Sequence, residues 1–159
     1  MSTKKVVLVG VFIALSVVGA FLKIPSPTGT VALDSAPGYF AAAAFGGVEA
    51  VLIISLGHLI SSAIVGFPLT LPIHLLIAAQ MAVFALIFAF LMKKANGYAA
   101  VIITTLANGI LAPLTMVPIF GWGFFYGMLI PLLVGSLVNI LLAYLVFNTI
   151  NKAGVDFAA

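Results

Sequence analysis

The sequence predicts an all-α polytopic membrane protein: six transmembrane helices in one domain spanning residues 1–159. Three observations carry that prediction. Hydrophobic residues make up 65% of the chain and charged ones only 6%, against about 25% charged in a soluble domain, so no water-facing surface can be built from this mixture. At roughly 20 apolar residues per crossing, 159 residues hold at most about six or seven spans with very short connections and leave no room for a soluble domain. The lysines then choose among the topologies that remain.

Apolar runs between breakers place spans at 6–22, 37–47, 48–66, 71–92, 98–112 and 124–148. The second is too short to cross a core of about 30 Å alone, so the alternative is one long helix over 37–66 and five spans. With six spans and a cytoplasmic N-terminus, Lys4, Lys5, Lys93, Lys94 and Lys152 lie inside and only Lys23 outside, as the positive-inside rule requires. With five, Lys93 and Lys94 join Lys23 outside and the asymmetry is lost. The expectation is therefore six spans, Gly46-Gly47 as a cytoplasmic turn, and both termini on the cytoplasmic side of the cell membrane.

The outer face then receives the connections 23–36, 67–70 and 113–123, all rich in Pro or Gly, while the inner ones are short and plain. Recognition is expected from outside. Lys4 and Lys5 ahead of an apolar run imitate a secretory signal, but no A-x-A pattern follows and the rest of the chain is equally apolar. With no cysteine, disulfides and thiolate metal sites are excluded. The net charge of +3 reads as a topology signal rather than a mark of nucleic-acid binding.

Polar groups inside a membrane are costly unless paired or facing a cavity. In the first span, Gly10 and Ala14, and likewise Ser16 and Ala20, are four apart and form a smooth strip for close helix packing. Asp34, Ser35 and Pro37 look like a helix start, although an outer carboxylate could equally hold a ligand hydroxyl or ring N–H. Ser55, His58 and Ser62 share one face of span three, beside Ser61, and a helix-to-helix hydrogen bond is the favoured role for His58. His74, just after Pro72 near the outer surface, is better placed for a ligand; Gln80 lies deeper on another face of that helix and reads as either glue or a contact.

Thr104, Thr105, Asn108 and Asn139 read first as interhelical glue, and Trp122, Tyr126 and Tyr39 first as an interfacial aromatic belt. There is no G-x-x-x-x-G-K phosphate loop, H-E-x-x-H or G-x-S-x-G. The chain is expected to hydrolyse no ATP by itself, to have no catalytic residues and to hold no cofactor or metal.

The small residues four apart on the first helix, the run KIPSPTGTVALDSAPGYFAAAAFGG and the run GHLISSAIVGFPLTLPIHLLIAAQM together resemble the substrate-binding, or S, subunit of energy-coupling factor (ECF) vitamin transporters. The segments ALDS, GHL followed by SS, and GFPL followed by PIH are most similar to the subfamily assigned to alpha-ribazole, a nucleoside joining dimethylbenzimidazole to ribose. The resemblance implies a six-helix subunit that captures a scarce vitamin or precursor from outside, then docks on a shared transmembrane subunit driven by two cytoplasmic ATPases.

It also implies a docking face containing Gly10 and Ala14, and a pocket at the outer helix ends lined by Asp34, Tyr39, Ser62, His74, Gln80, Asn108, Trp122 and Tyr126. The absence of arginine, with only Lys23 outside, disfavours a ligand carrying several phosphates or carboxylates. The start MSTKK lacks the N-terminal histidine motif of metal-uptake relatives, so nickel or cobalt transport is disfavoured. Two other classes stay open from the residues alone. One is a self-sufficient secondary transporter using His58, and the other an intramembrane enzyme using His58 or His74.

Overall fold

The computed structural model describes residues 2–29 and 31–154, and the Ser2 hydroxyl begins its first helix by accepting the Lys5 N–H at 3.4 Å. Helix α1 runs Thr3–Gly19. Its small residues separate into two faces: Gly10 and Ala14 are exposed, whereas Ser16 and Ala20 are buried. Ser16 seats on Gly57, where a Cβ would come within 2.7 Å of the Ser16 Cβ. Contact of this closeness needs a glycine on one side.

Helix α2 (Ala36–Ala44) and helix α3 (Gly47–Ile64) are separate, which excludes one long helix over 37–66. The turn between them falls on Gly46 and Gly47, with φ of 72° and 44°, values that L side chains rarely adopt. Helix α2 is the most enclosed element. Tyr39 and Ala41 are fully buried, and Gly38 lies so close under α3 that a Cβ would stand 2.5 Å from that of Ile54. Phe40 stacks on Phe12 at 5.3 Å, tying α2 to α1.

Helix α4 (Leu71–Lys94) ends in Lys93 and Lys94, cations that suit the negative end of a helix dipole. Asn96 caps helix α5 (Gly97–Leu106) by accepting the Ala99 N–H at 2.8 Å. A π-turn over Ala107–Leu111 leads into the short helix α6 (Ala112–Thr115), then helix α7 (Val117–Lys152). Pro113 lacks an N–H and crowds the carbonyl four residues back, and the wider π-turn accommodates both defects.

The connection expected over 113–123 is therefore mostly helical. The π-turn absorbs Pro113 within the run, and Pro118 occupies a first-turn position, where proline fits a helix instead of breaking it. The real break is Gly121, with φ 75° and ψ 175° inside α7.

Lys5 Nζ meets Glu49 Oε1 at 2.7 Å, and Lys93 Nζ lies 3.5 Å from where a Gly46 Cβ would be. Gly97 sits beneath the Tyr144 ring, two turns before α7 ends at Lys152. All lysines but Lys23 thus gather at one end of the bundle. Among the described residues, the runs Gly47–Ile64, Leu71–Lys94, Gly97–Thr115 and Val117–Lys152 are long and apolar enough to cross a membrane. Helices α1 and α2, of 17 and 9 residues, reach only about 25 Å and 13 Å against a core of about 30 Å, so helix length alone does not give the expected six crossings.

Gly57→Leu is expected to push α1 off α3 and destabilise the fold by about 1–3 kcal/mol, whereas Gly10→Leu meets open space and leaves stability intact. Thermal unfolding of the two variants in detergent checks the contrast.

Candidate ligand-binding site

At the end opposite the lysine cluster, the chain leaving α1 doubles back on itself. Ile24 N–H donates to the Val31 carbonyl at 2.8 Å and Leu33 N–H to the Leu22 carbonyl at 3.1 Å, with Gly29 (φ 65°) at the turn. The returning strand then lies on α7. A Cβ at Gly135 would come within 2.6 Å of Val31 Cγ1.

Asn139 holds the strand there. Its Oδ1 accepts the Ala36 N–H at 2.7 Å, and its Nδ2 donates to the carbonyls of Ala32 and Gly135, each at 2.8 Å. The expected helix start at Asp34, Ser35 and Pro37 is found, but its cap comes from another helix. The Ser35 side chain makes no capping bond, and Asn139 satisfies the first orphan N–H instead. Asp34 is thereby free to serve the site.

A cavity of about 90 Å³ lies between this strand, α3, α4, the π-turn and α7. Its polar wall includes Asp34, His58, Gln80, Asn108, Ser136 and Asn139. Its apolar wall includes Met81, Met116, Met128 and Phe124. The volume is below the roughly 300–1,000 Å³ of most ligand pockets. No lysine lines it.

A chain of hydrogen-bonding groups runs behind the wall. The Leu69 N–H lies 3.5 Å from His74 Nε2, His74 Nδ1 3.2 Å from His58 Nε2, and His58 Nδ1 3.8 Å from Asp34 Oδ2. A backbone N–H only donates, so its direction fixes the tautomers: His74 accepts at Nε2 and carries its proton on Nδ1. His58 accepts that proton's hydrogen bond at Nε2 and turns its own Nδ1–H toward the Asp34 carboxylate. Ser62 Oγ stands 3.4 Å from His58 Nε2. Among the described residues, the Ser61 hydroxyl finds no hydrogen-bond partner.

Of the predicted lining, Asp34, Gln80 and Asn108 reach the cavity together, Asn108 carried there by the π-turn. Ser62 and His74 are buried one layer behind, connected through His58. Tyr39 is fully buried against Phe88, ring to ring at 5.7 Å, and does not line the cavity. Trp122 and Tyr126 are exposed, 55% and 67%, and stack on each other outside the cup. The aromatic wall is Phe124, on another face of the same turn.

The glue expectation divides as well. Asn139 makes three bonds, whereas the hydroxyls of Thr104 and Thr105 find no partner among the described residues. Sequence reasoning missed Ser136 and underweighted His58. The run GSLVN, with Gly135, Ser136 and Asn139 within one helical turn, was the available signal.

The family model described as ECF-type riboflavin transporter, S component, matches residues 1–154. No curated protein and no solved structure matches the chain.

Asn139→Leu is expected to strand the Ala36 N–H and the Ala32 carbonyl, at about 1–3 kcal/mol for each buried group, and to weaken ligand binding at least tenfold as the Asp34 wall loosens. Asn139→Asp keeps the acceptor for Ala36 but sets a buried carboxylate oxygen against the Ala32 and Gly135 carbonyls, so it should be no less destabilising than Leu. Thermal unfolding with and without ligand ranks the three proteins.

Proposed function

The chain belongs to the family of ECF-type riboflavin transporter S components, and from that premise we propose that its cavity takes a neutral, planar heterocycle bearing a hydroxylated sugar-type chain. As a family member it is a membrane-embedded substrate-binding subunit for vitamin uptake, working with a shared ECF module, and not an enzyme. The observation that supports the ligand class is the cavity wall. Asp34, Gln80, Asn108 and Ser136 supply polar groups, Phe124 supplies a flat apolar face beside the methionines, and among the described residues no lysine lines the wall to meet phosphates.

Alpha-ribazole meets this description and is the ligand that the segments ALDS, GHL and PIH suggest. Riboflavin, the vitamin in the family's description, meets it too and is the second reading. The small cavity favours the ligand with the smaller fused heterocycle, two rings in alpha-ribazole against three in riboflavin. His74 and Ser62 act in this reading by holding His58 and Asp34, and Tyr39, Trp122 and Tyr126 contact ligand only if the outer connections rearrange around it.

The proposed topology has six crossings with both termini cytoplasmic. Helix α2 completes its crossing through the non-helical segment 31–35, whose backbone is partnered by Asn139, Leu22 and Ile24 rather than by a helix. The gathering of lysines opposite the cavity supports an outward-opening cup. Helix α1 presents Gly10 and Ala14 to the outside of the bundle, beside an apolar groove of about 410 Å³ lined by α1, α2 and α7. A Cβ at Gly10 would touch nothing, so packing within the chain does not call for that glycine. This face is proposed to meet the shared transmembrane subunit, itself driven by two ATPases.

Calorimetry of the purified protein should show tight binding of alpha-ribazole or riboflavin and none of thiamine or biotin; the reverse pattern would reject the ligand class. Ala14→Trp should abolish uptake in vesicles reconstituted with the ECF module while leaving calorimetric affinity within about twofold, since surface changes away from a site shift it by less than about 0.5 kcal/mol.

A further inference from the structure

Resting on the vitamin-class reading above, we infer that Thr115 orients Gln80 so that its amide carbonyl accepts a hydrogen bond from a hydroxyl of the ligand. The α6 helix is one turn long, and the Ala112 carbonyl at its start is satisfied by the Thr115 hydroxyl at 2.7 Å. Thr115 Oγ1 has thereby given away its only hydrogen and presents lone pairs. Gln80 Nε2 donates to that oxygen at 2.6 Å. Ala112 thus dictates the hydroxyl, and the hydroxyl dictates the amide. A Gln80 turned the other way would set two acceptors against each other.

The consequence is an acceptor of defined polarity. Gln80 lines the cavity, and its Oε1 is buried with no hydrogen-bond partner among the described residues. In a membrane interior such a group is costly until something donates to it. The other open groups agree in sign. The Asp34 carboxylate accepts only, and the buried Ser136 hydroxyl, also without a partner among the described residues, can accept or donate. Asn139, by contrast, has spent both Nδ2 hydrogens and one lone pair on backbone. A wall that mostly accepts selects a ligand that mostly donates. In a neutral heterocycle with a sugar-type chain, those donors are the chain's hydroxyls.

Thr115 is exposed, so replacing it does not disturb the core. The experiment pairs a hydroxylated probe with its bare ring: alpha-ribazole against dimethylbenzimidazole, and riboflavin against the flavin ring carrying methyl in place of ribityl. Gln80→Met and Thr115→Val are each expected to weaken the hydroxylated probe about tenfold and the bare ring less than about twofold, the size of one hydrogen bond. Thr115→Ser restores the wild-type ratio.

Equal losses on both probes would mean that these residues only shape the cavity. Unchanged affinity for the hydroxylated probe would mean that the amide does not touch it. Either result overturns the inference and leaves the vitamin reading standing. Failure of the wild-type protein to bind either hydroxylated probe overturns the vitamin reading itself.

Discussion

The contact on which the rest of the site depends is the Asn139 side chain against the returning strand. Inside a bilayer, non-helical backbone must find partners for its N–H and C=O groups, and the bonds from Ile24 to Val31 and from Leu33 to Leu22 satisfy only part of this segment. One carboxamide supplies both an acceptor and donors, binding Ala36 and Ala32 while anchoring to its own helix at Gly135. Without it the backbone over 31–36 would seek other partners, and Asp34 would have no fixed position. Gly135 completes the arrangement by letting Val31 approach α7 closely enough for those bonds to form.

From that fixed strand the polarity of the site propagates in two directions. Asp34 faces His58, which leans on His74, which receives the Leu69 N–H, so both outer connections around the cavity are joined by one oriented chain. On the opposite wall, the Ala112 carbonyl, Thr115 and Gln80 form a second oriented chain. Both depend on backbone groups left over where helices end: Leu69 in the turn before α4, and Ala112 at the one-turn helix that Pro113 begins. Interrupted helices give the cavity its hydrogen-bonding character, while the apolar lengths between them hold the protein in lipid.

The sequence by itself determined the medium and the bundle, because those depend on sums. A charged fraction of 6% cannot clothe a soluble protein, and the lysine asymmetry favoured a turn at Gly46 and Gly47 over one long helix. Asp34, Gln80 and Asn108 were legible as candidate lining because polar groups in so apolar a chain are few and costly, and the structure places all three on one cavity. Only the tertiary structure decided which side of each helix looks inward. That choice separated Gly10 and Ala14 from Ser16 and Ala20, sent Trp122 and Tyr126 outward while Phe124 took the wall, and gave Asn139 a strand more than a hundred residues away. In a soluble helix polarity marks the outer face. In lipid both faces are apolar, so the sequence carries no such mark, and facing is settled only by which small residues and backbone groups meet in three dimensions.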